Sequence, residues 1–87
     1  MTDEFTFEYL GKIYNVSGNN RLTRHGGPFD RGSADNYYWR PEDPHWWPEG
    51  TSYGIRVEKD EMSQDEIEEY YAGYEYNERY GDKKDWG

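Results

Sequence analysis

Cysteine is absent from this chain of 87 residues, aliphatic side chains are few, and no long hydrophobic run occurs. The absence of cysteine excludes disulfide bonds and thiolate metal sites, and it is typical of proteins from a reducing compartment. The N-terminal residues MTDEFTFEYL have neither a basic leader nor an apolar segment, so we expect no signal peptide and no membrane span. The sequence therefore predicts a cytoplasmic protein.

Aromatic side chains take the place of the scarce aliphatic ones. The sequence has ten Tyr, four Trp and three Phe, and each ring can bury about 150–250 Å² on folding. A chain of this length forms at most one domain. Residues 30–50, DRGSADNYYWRPEDPHWWPEG, combine aromatic rings with prolines. Because proline favours extended, irregular backbone, we expect this stretch to cross the domain irregularly and its rings to form much of the core.

Two alternating runs of apolar and polar side chains near the N-terminus predict a β-hairpin over residues 5–16. Gly11-Lys12 is expected to form a two-residue turn, because glycine suits the first central position of such a turn. This register places Tyr9 opposite Tyr14 and puts the larger side chains on one face of the ribbon.

The segment after the hairpin predicts mostly irregular structure. Residues 17–29 are rich in Gly and Asn and are expected to form a loop. Ser33 is expected to cap a brief helix that ends near Trp39. The candidates for a third strand are residues 21–23 and residues 51–57, and the glycine inside the second weakens it.

A C-terminal helix over residues 63–80 is the best-defined element. Ser63 and Glu66 have the spacing of a capping box, in which each side chain bonds the backbone of the other. The expected core-facing stripe consists of Ile67, Tyr70, Tyr71 and Tyr74. Gly73 indicates close approach of another backbone or ring. Together these elements predict a small α+β domain with an N-terminal β-hairpin or three-stranded antiparallel sheet, an irregular aromatic and proline-rich centre, and one C-terminal α-helix.

Negative charge is concentrated in the C-terminal third of the chain. Residues 58–87 contain eleven acids and four bases, whereas residues 1–57 contain eight acids and six bases. Such a field repels nucleic acid and anionic membranes and favours basic partners. We therefore expect a protein partner with a basic surface, and no direct contact with nucleic acid or membrane.

Seven carboxylates fall within the twelve residues 58–69. Helical side chains three or four positions apart lie about 5–6 Å from each other, so the run approaches the charge density of a phosphate backbone. A solvated helix N-terminus would show the same run, because acids there are favourable to the helix dipole. Tryptophan is a usual anchor at interfaces. The predicted partner-binding residues are Glu58, Asp60, Glu61, Asp65, Glu68, Glu69, Trp46 and Trp47.

Two runs, RGSADNYYWRPEDPHWWPEG and EIEEYYAGYEYNERYGDKKDWG, resemble a family of short, mostly uncharacterised bacteriophage and prophage proteins. That family combines an Arg-Gly-Ser-Ala-Asp-x-Tyr-Tyr segment, an Asp-Pro-His segment and a closing helix that ends near Gly-Asp-x-Lys-Asp-Trp. The resemblance implies a phage accessory protein in the bacterial host cytoplasm, and it implies no established activity. The run YYAGY is similar to the helix of ribosome modulation factor, a strongly basic family, whereas this helix is acidic.

The residues suited to catalysis or metal binding lack diagnostic spacing. Asp43 and His45 with the separate His25 are the conceivable metal ligands, and Ser33 with Asp35 and a histidine is the conceivable catalytic set. We therefore predict no catalytic residue, no metal and no cofactor. The predicted function is that of a non-enzymatic phage-type accessory protein that binds and modulates a host or phage protein. One alternative is a DNA mimic that inhibits a nucleic-acid-binding protein. The other is a small enzyme that uses Asp43, His45 or Ser33, and a pocket that gathers His45 with carboxylates would favour it.

Overall fold

The computed structural model describes residues 6–16, 22–50 and 53–85. Its elements are β1 (Thr6–Tyr9), β2 (Lys12–Asn15), α1 (Pro28–Tyr37), β3 (His45–Trp46), β4 (Val57–Glu58) and α2 (Gln64–Tyr80), with a 3-10 turn at Lys59–Glu61 before α2. β1 pairs with β2 and β3 with β4, both antiparallel, and α1 packs against α2. The predicted α+β class, N-terminal hairpin and C-terminal helix are confirmed.

The start of α2 follows its predicted capping box. The Ser63 hydroxyl accepts a hydrogen bond from the Glu66 N–H at 3.1 Å, and the Glu66 carboxylate accepts one from the Ser63 N–H at 2.9 Å. These bonds satisfy backbone donors that have no partner inside the helix. The predicted core-facing stripe is only partly right. Tyr70 is buried, but the helix buries Glu69, Ala72, Gly73 and Asn77 beside it instead of Ile67, Tyr71 and Tyr74.

Helix α1 begins earlier than predicted. Gly27 is its N-cap and Pro28 occupies the first turn, where a missing N–H is harmless because the first helical donors have no intrahelical partner. The predicted loop is therefore wrong at Pro28 and Phe29. Ser33 lies inside the helix and caps nothing; its hydroxyl donates to Asn77 Oδ1 at 3.3 Å.

Two glycines bring the helix backbones into direct contact. A Cβ on Gly32 of α1 would lie 2.0 Å from the carbonyl oxygen of Tyr70, and a Cβ on Gly73 of α2 would lie 2.1 Å from that of Phe29. The separation of packed helices depends on the side chains at their contact, and here there are none. The close approach predicted at Gly73 is confirmed.

The buried apolar cluster lies where the hairpin covers the helices. Its members are Phe7, Tyr14, Leu22, Phe29 and Ala72, with Tyr9, Val16 and Tyr76 packed against it. The rings at positions 37–39, 46 and 47 are half-buried or exposed. The expectation that stretch 30–50 supplies much of the core is therefore wrong. Its first rings lie at the end of α1 and just after it, and there Trp39 Nε1 donates to the carbonyl of Lys84 at 2.8 Å, away from the cluster.

The hairpin forms in a different register from the one predicted. Its turn is Leu10-Gly11, with φ of 52° and 85°, and positive φ at both central positions is the requirement of a type I′ hairpin turn. Phe7 therefore pairs with Tyr14, and Tyr9 pairs with Lys12. This register brings the two buried hairpin rings side by side.

The third-strand predictions are also corrected. β4 pairs with β3, with His45 opposite Glu58 and Trp46 opposite Val57, and it does not join the hairpin. Prolines on both sides of β3 limit the new sheet to two residues a strand, because proline cannot donate to a ladder. Of the other candidate, Leu22 and Thr23 form a turn. Residues 21, 51 and 52 lie outside the described residues.

Candidate functional site

The structure divides the predicted acidic surface into two parts. Glu58, Asp60 and Glu61 are exposed on β4 and the 3-10 turn. Asp65 and Glu68, on the first turns of α2, both form ion pairs with the hairpin residue Lys12. The hydrogen bond from Lys12 holds the pKa of Glu68 below its usual value, so these two acids already have a cation at their side.

Glu69 is not an exposed acid. Only 8% of its surface is exposed, because it lies on the side of α2 that faces the hairpin and lines a hollow with Tyr14 and Leu22. The prediction that it contributes to an acidic edge is therefore wrong. A carboxylate at a position that packs against a neighbouring element cannot meet a partner protein.

The two predicted tryptophans are both half-buried. The guanidinium of Arg24 lies over the Trp46 ring, 4.7 Å from its centroid. The backbone N–H of Trp47 donates to the carbonyl of Gly26 at 2.8 Å, which ties the end of β3 to the loop before α1. Trp46 is thus covered on one face by a cation, while Trp47 lines a cleft that contains none of the six predicted acids.

A groove of about 440 Å³ lies beside the exposed acids, and we call it the acidic groove. Its lining residues are Pro48, Glu49, Gly54, Ile55, Arg56, Val57 and Glu61. Ile55 is 85% exposed, so an aliphatic side chain is in contact with water in a groove that Glu49 and Glu61 also line. Sequence reasoning missed this feature, although an isoleucine shortly before an acidic run is visible in the sequence.

A larger hollow of about 580 Å³ lies near the end of α1, and we call it the arginine cleft. It is lined by Arg31, Asp35, Tyr38, Arg40, Pro41, Asp43, His45, Trp47 and Arg56. Its three arginines come from α1, from the loop after α1 and from the segment before β4. Arg56 lines both this cleft and the acidic groove.

A buried hydrogen-bond network lies behind the arginine cleft. Tyr70 is fully buried and Asp35 is 3% exposed. The Tyr70 hydroxyl donates to Asp35 Oδ2 and accepts from the Asp43 N–H at 2.9 Å. Burial, together with the bond to Asp35, raises the pKa of Tyr70, so the phenol stays protonated and remains a donor. One side chain of α2 thereby fixes α1 and the loop at Asp43 relative to each other.

His45 is buried in the same region and has a defined tautomer. Its Nδ1 lies 2.7 Å from the carbonyl oxygen of Asp43 and 3.9 Å from Asp35 Oδ2. A carbonyl only accepts hydrogen bonds, so Nδ1 carries the proton and Nε2 is the acceptor in the neutral ring. The cleft thus gathers His45 with two aspartates, which is the arrangement that the enzyme alternative requires. Asp35 is bonded on both oxygens and His45 Nδ1 is bonded to a backbone carbonyl, so these groups are engaged within the fold. Ser33, the third residue of the enzyme hypothesis, is bonded to Asn77 instead.

Carboxylates hold each arginine of the cleft in place. Arg31 Nη2 lies 3.0 Å from Asp30, Arg40 Nη1 lies 3.3 Å from Asp35, and Arg56 Nη2 lies 2.7 Å from Asp43. Arg40 is thus the ion-pair partner of the buried Asp35. The sequence analysis did not predict that these three arginines share a concave surface. The available signal was the concentration of three arginines around the aromatic stretch of an acidic chain.

Within residues 6–16, 22–50 and 53–85, no three His, Asp or Glu side chains converge to hold a metal ion. Within the same ranges, neither helix is long and apolar enough to cross a membrane.

No family model, curated protein or solved structure matches this chain.

Proposed function

We propose that this protein is a non-enzymatic accessory protein that binds a basic segment of a partner protein in the acidic groove. The observation that carries the proposal is that the exposed Ile55 lines a groove together with Val57, Pro48, Glu49 and Glu61. An apolar floor supplies burial on binding, while carboxylates at the rim orient lysine and arginine side chains of the partner. Asp60, which is exposed in the same turn as Glu61, adds negative charge next to the groove.

This surface is smaller than the one that the sequence predicts. Asp65 and Glu68 are paired with Lys12, Glu58 is paired with Arg56 at 3.1 Å, and Glu69 is buried. The proposed contact therefore uses Asp60 and Glu61 with Glu49. The phage-type role, with a host or phage protein as the partner, rests on the resemblance of two segments to phage and prophage proteins. The absence of cysteine supports the bacterial cytoplasm as the place of action.

The test compares two variants with matched changes in charge and apolar surface. The groove variant combines Ile55→Ser, Asp60→Lys and Glu61→Lys, and the control variant combines Ile13→Ser, Glu8→Lys and Glu42→Lys. Ile13 is 72% exposed on the hairpin, and both control acids are exposed. Wild type and variants are immobilised, bacterial lysate is applied, and captured proteins are quantified by mass spectrometry after circular dichroism has shown that each variant is folded.

We expect a protein that wild type and the control variant capture equally and that the groove variant loses. Its capture should weaken as salt rises, because salt at 0.15 M already screens exposed charges that are more than about 8 Å apart, and this distance shrinks with added salt. Equal loss from both folded variants would reduce the effect to net charge and contradict the proposal, as would undiminished capture by the groove variant.

DNA mimicry is separated by a competition experiment on the same complex. Duplex DNA is added at constant ionic strength, with polyglutamate of equal charge as the control. Release by DNA and not by polyglutamate would identify the partner surface as a nucleic-acid site and make the protein a DNA mimic. Equal responses to the two polymers would leave a protein-binding surface of ordinary electrostatic complementarity.

A further inference from the structure

The arginine cleft has the chemistry of an anion site inside an acidic protein. The chain carries a formal net charge of −9 with ten Lys and Arg in all. Nevertheless, three segments converge so that Arg31, Arg40 and Arg56 line one hollow. Arginine is the residue best suited to oxyanions, because its planar guanidinium offers parallel donors to carboxylate and phosphate.

The existing ion pairs leave donors for a ligand. Among the described residues, Arg31 uses Nε and Nη2 toward Asp30, and Arg40 uses Nη1 toward Asp35. Arg31 Nη1 and Arg40 Nη2 therefore remain for a further acceptor. The side chain of Arg31 is only 12% exposed and that of Arg40 is 55% exposed, so one donor is held firmly and the other lies at the entrance.

Both aspartates of the cleft already have partners, and Asp43 is paired with Arg56. Asp35 Oδ2 accepts from Tyr70, and Asp35 Oδ1 pairs with Arg40. A buried carboxylate that is bonded on both oxygens repels an incoming anion less than an unpaired one, because its partners offset its field. The same bonds fix the cleft in position before a ligand arrives, which lowers the ordering cost of binding.

Aromatic rings supply the apolar part of the cleft. Tyr38 and Trp47 line it, and the Arg40 guanidinium lies over the Tyr38 ring, 4.8 Å from its centroid. The volume of about 580 Å³ lies within the range of about 300–1,000 Å³ that is typical of small-molecule sites. A ligand with a ring and an acidic group would meet both kinds of surface.

We propose that the arginine cleft binds the oxyanion group, phosphate or carboxylate, of a small ring-containing molecule. Arg31 and Arg40 bind the oxyanion, and Trp47 with Tyr38 contacts the ring. This site adjoins the acidic groove at Arg56, and its occupation requires no partner protein.

The proposal is tested with a series of ligands that share one ring. Phenyl phosphate and benzoate are the phosphate and carboxylate probes, benzamide is the neutral control, and inorganic phosphate lacks the ring. Binding is measured by nuclear magnetic resonance titration of the ¹⁵N-labelled full chain, with the Trp47 indole signal assigned from Trp47→Phe. We expect saturable shifts of that signal with at least one anionic probe. That probe should bind about ten-fold more tightly than benzamide, because a hydrogen bond to a charged group is stronger than one to a neutral group by about this factor.

Variants of the two arginines locate the binding. Arg31→Gln and Arg40→Gln should each weaken the tighter probe about ten-fold, whereas Arg79→Gln, which removes an exposed arginine paired with Glu75 on α2, should not. Arg56 is left unchanged because it lines both hollows. If Arg31→Gln does not fold, Arg40→Gln decides, since its side chain is largely exposed.

The stronger of the two anionic probes identifies the acidic group of the natural ligand. Equal binding of benzamide and both anionic probes would overturn the proposal. So would anion binding that Arg79→Gln weakens as much as Arg40→Gln does, because the effect would then follow from net charge alone.

Discussion

Two buried regions of this protein are held together by different interactions. The apolar cluster under the hairpin joins rings such as Phe7 and Phe29 to Tyr76, with ring centroids 5.3 and 5.7 Å apart. The polar interface between α1 and α2 instead joins hydrogen-bonding side chains such as Asn36 and Asn77, at 2.8 Å. The first region is stabilised by the burial of apolar surface, which does not depend on direction. The second is stabilised by hydrogen bonds, each of which needs one particular partner.

The difference explains why the arginine cleft lies beside the polar interface. Burial of apolar surface holds rings together without requiring one orientation. The main role of the hairpin is therefore to cover the apolar cluster. In the polar interface, Asp35 and Tyr70 can bond only in one relative placement of the helices, and the arginine cleft is built on that placement. A binding site whose side chains need fixed positions is therefore found beside the polar interface.

The largest expected effect comes from closing the space at the helix contact. Gly73→Ala would place a methyl group 2.1 Å from the Phe29 carbonyl oxygen. At an open helix position this change stabilises by about 0.5–1 kcal/mol. Here we expect a loss of about 3 kcal/mol or more, because neither backbone can yield without moving its helix. Urea denaturation followed by circular dichroism measures the effect, and a stabilised variant would contradict the described contact.

A smaller effect should separate the two regions directly. Tyr70→Phe removes the hydroxyl that bonds both Asp35 and the Asp43 N–H, and we expect it to lower the free energy of unfolding by about 1–3 kcal/mol. Tyr14→Phe, in the apolar cluster against Phe29, should change it by less than about 0.5 kcal/mol because its ring packing is retained. Equal losses in parallel urea titrations would show that the two regions do not differ in kind.

The smallest expected effect is a pH dependence at the exposed edge of the polar interface. Hydrogen bonds from Asn36 and Lys83 hold the pKa of Glu78 below its ordinary value of 4.5. A carboxyl with a lowered pKa in the folded state stabilises at pH above the unfolded value, and this contribution is lost as the pH falls through the folded value. Glu78→Gln should therefore flatten the decline in melting temperature below pH 4.5.

The matched variant for this measurement is Glu68→Gln, whose pKa is lowered chiefly by Lys12 and secondarily by Gln64. It should also flatten the decline in melting temperature over the same acid range, but this effect should shrink more in high salt. The principal bond of Glu68 joins two charged groups near the surface, whereas Glu78 also accepts a hydrogen bond from the buried amide of Asn36. Indistinguishable salt responses would mean that the amide bond adds nothing to the ion pair.

The sequence predicted elements whose signals are local. The capping box of α2 requires only Ser63 and Glu66, four residues along one chain segment, so it could be identified without knowledge of any neighbour. The hairpin was predicted for the same reason, but its register was wrong. Gly11 fits either central position of a tight turn, and the choice depended on the burial of Phe7 beside Tyr14, which is a tertiary effect.

What escaped prediction depended on distant segments. Gly27-Pro28 is as suitable for a loop as for a helix start, and the helix is favoured because Gly32 can then lie against α2. The arginine cleft needs α1, the loop after it and the segment before β4 to meet, and no spacing within the sequence encodes that meeting. Similarly, the burial of Glu69 follows from the direction in which α2 faces the hairpin.

The contact of Gly32 with α2 also has a consequence for how the chain folds. The two helices that form the most extensive contact lie on opposite sides of a long connection that contains β3 and β4. Closing such a loop costs entropy before any contact between the helices can offset it. The hairpin can form early because its strands are adjacent, whereas the two helix backbones meet only after the connection has closed. The rate of refolding should thus be set by loop closure, with the helix contact as the late step that makes the structure cooperative.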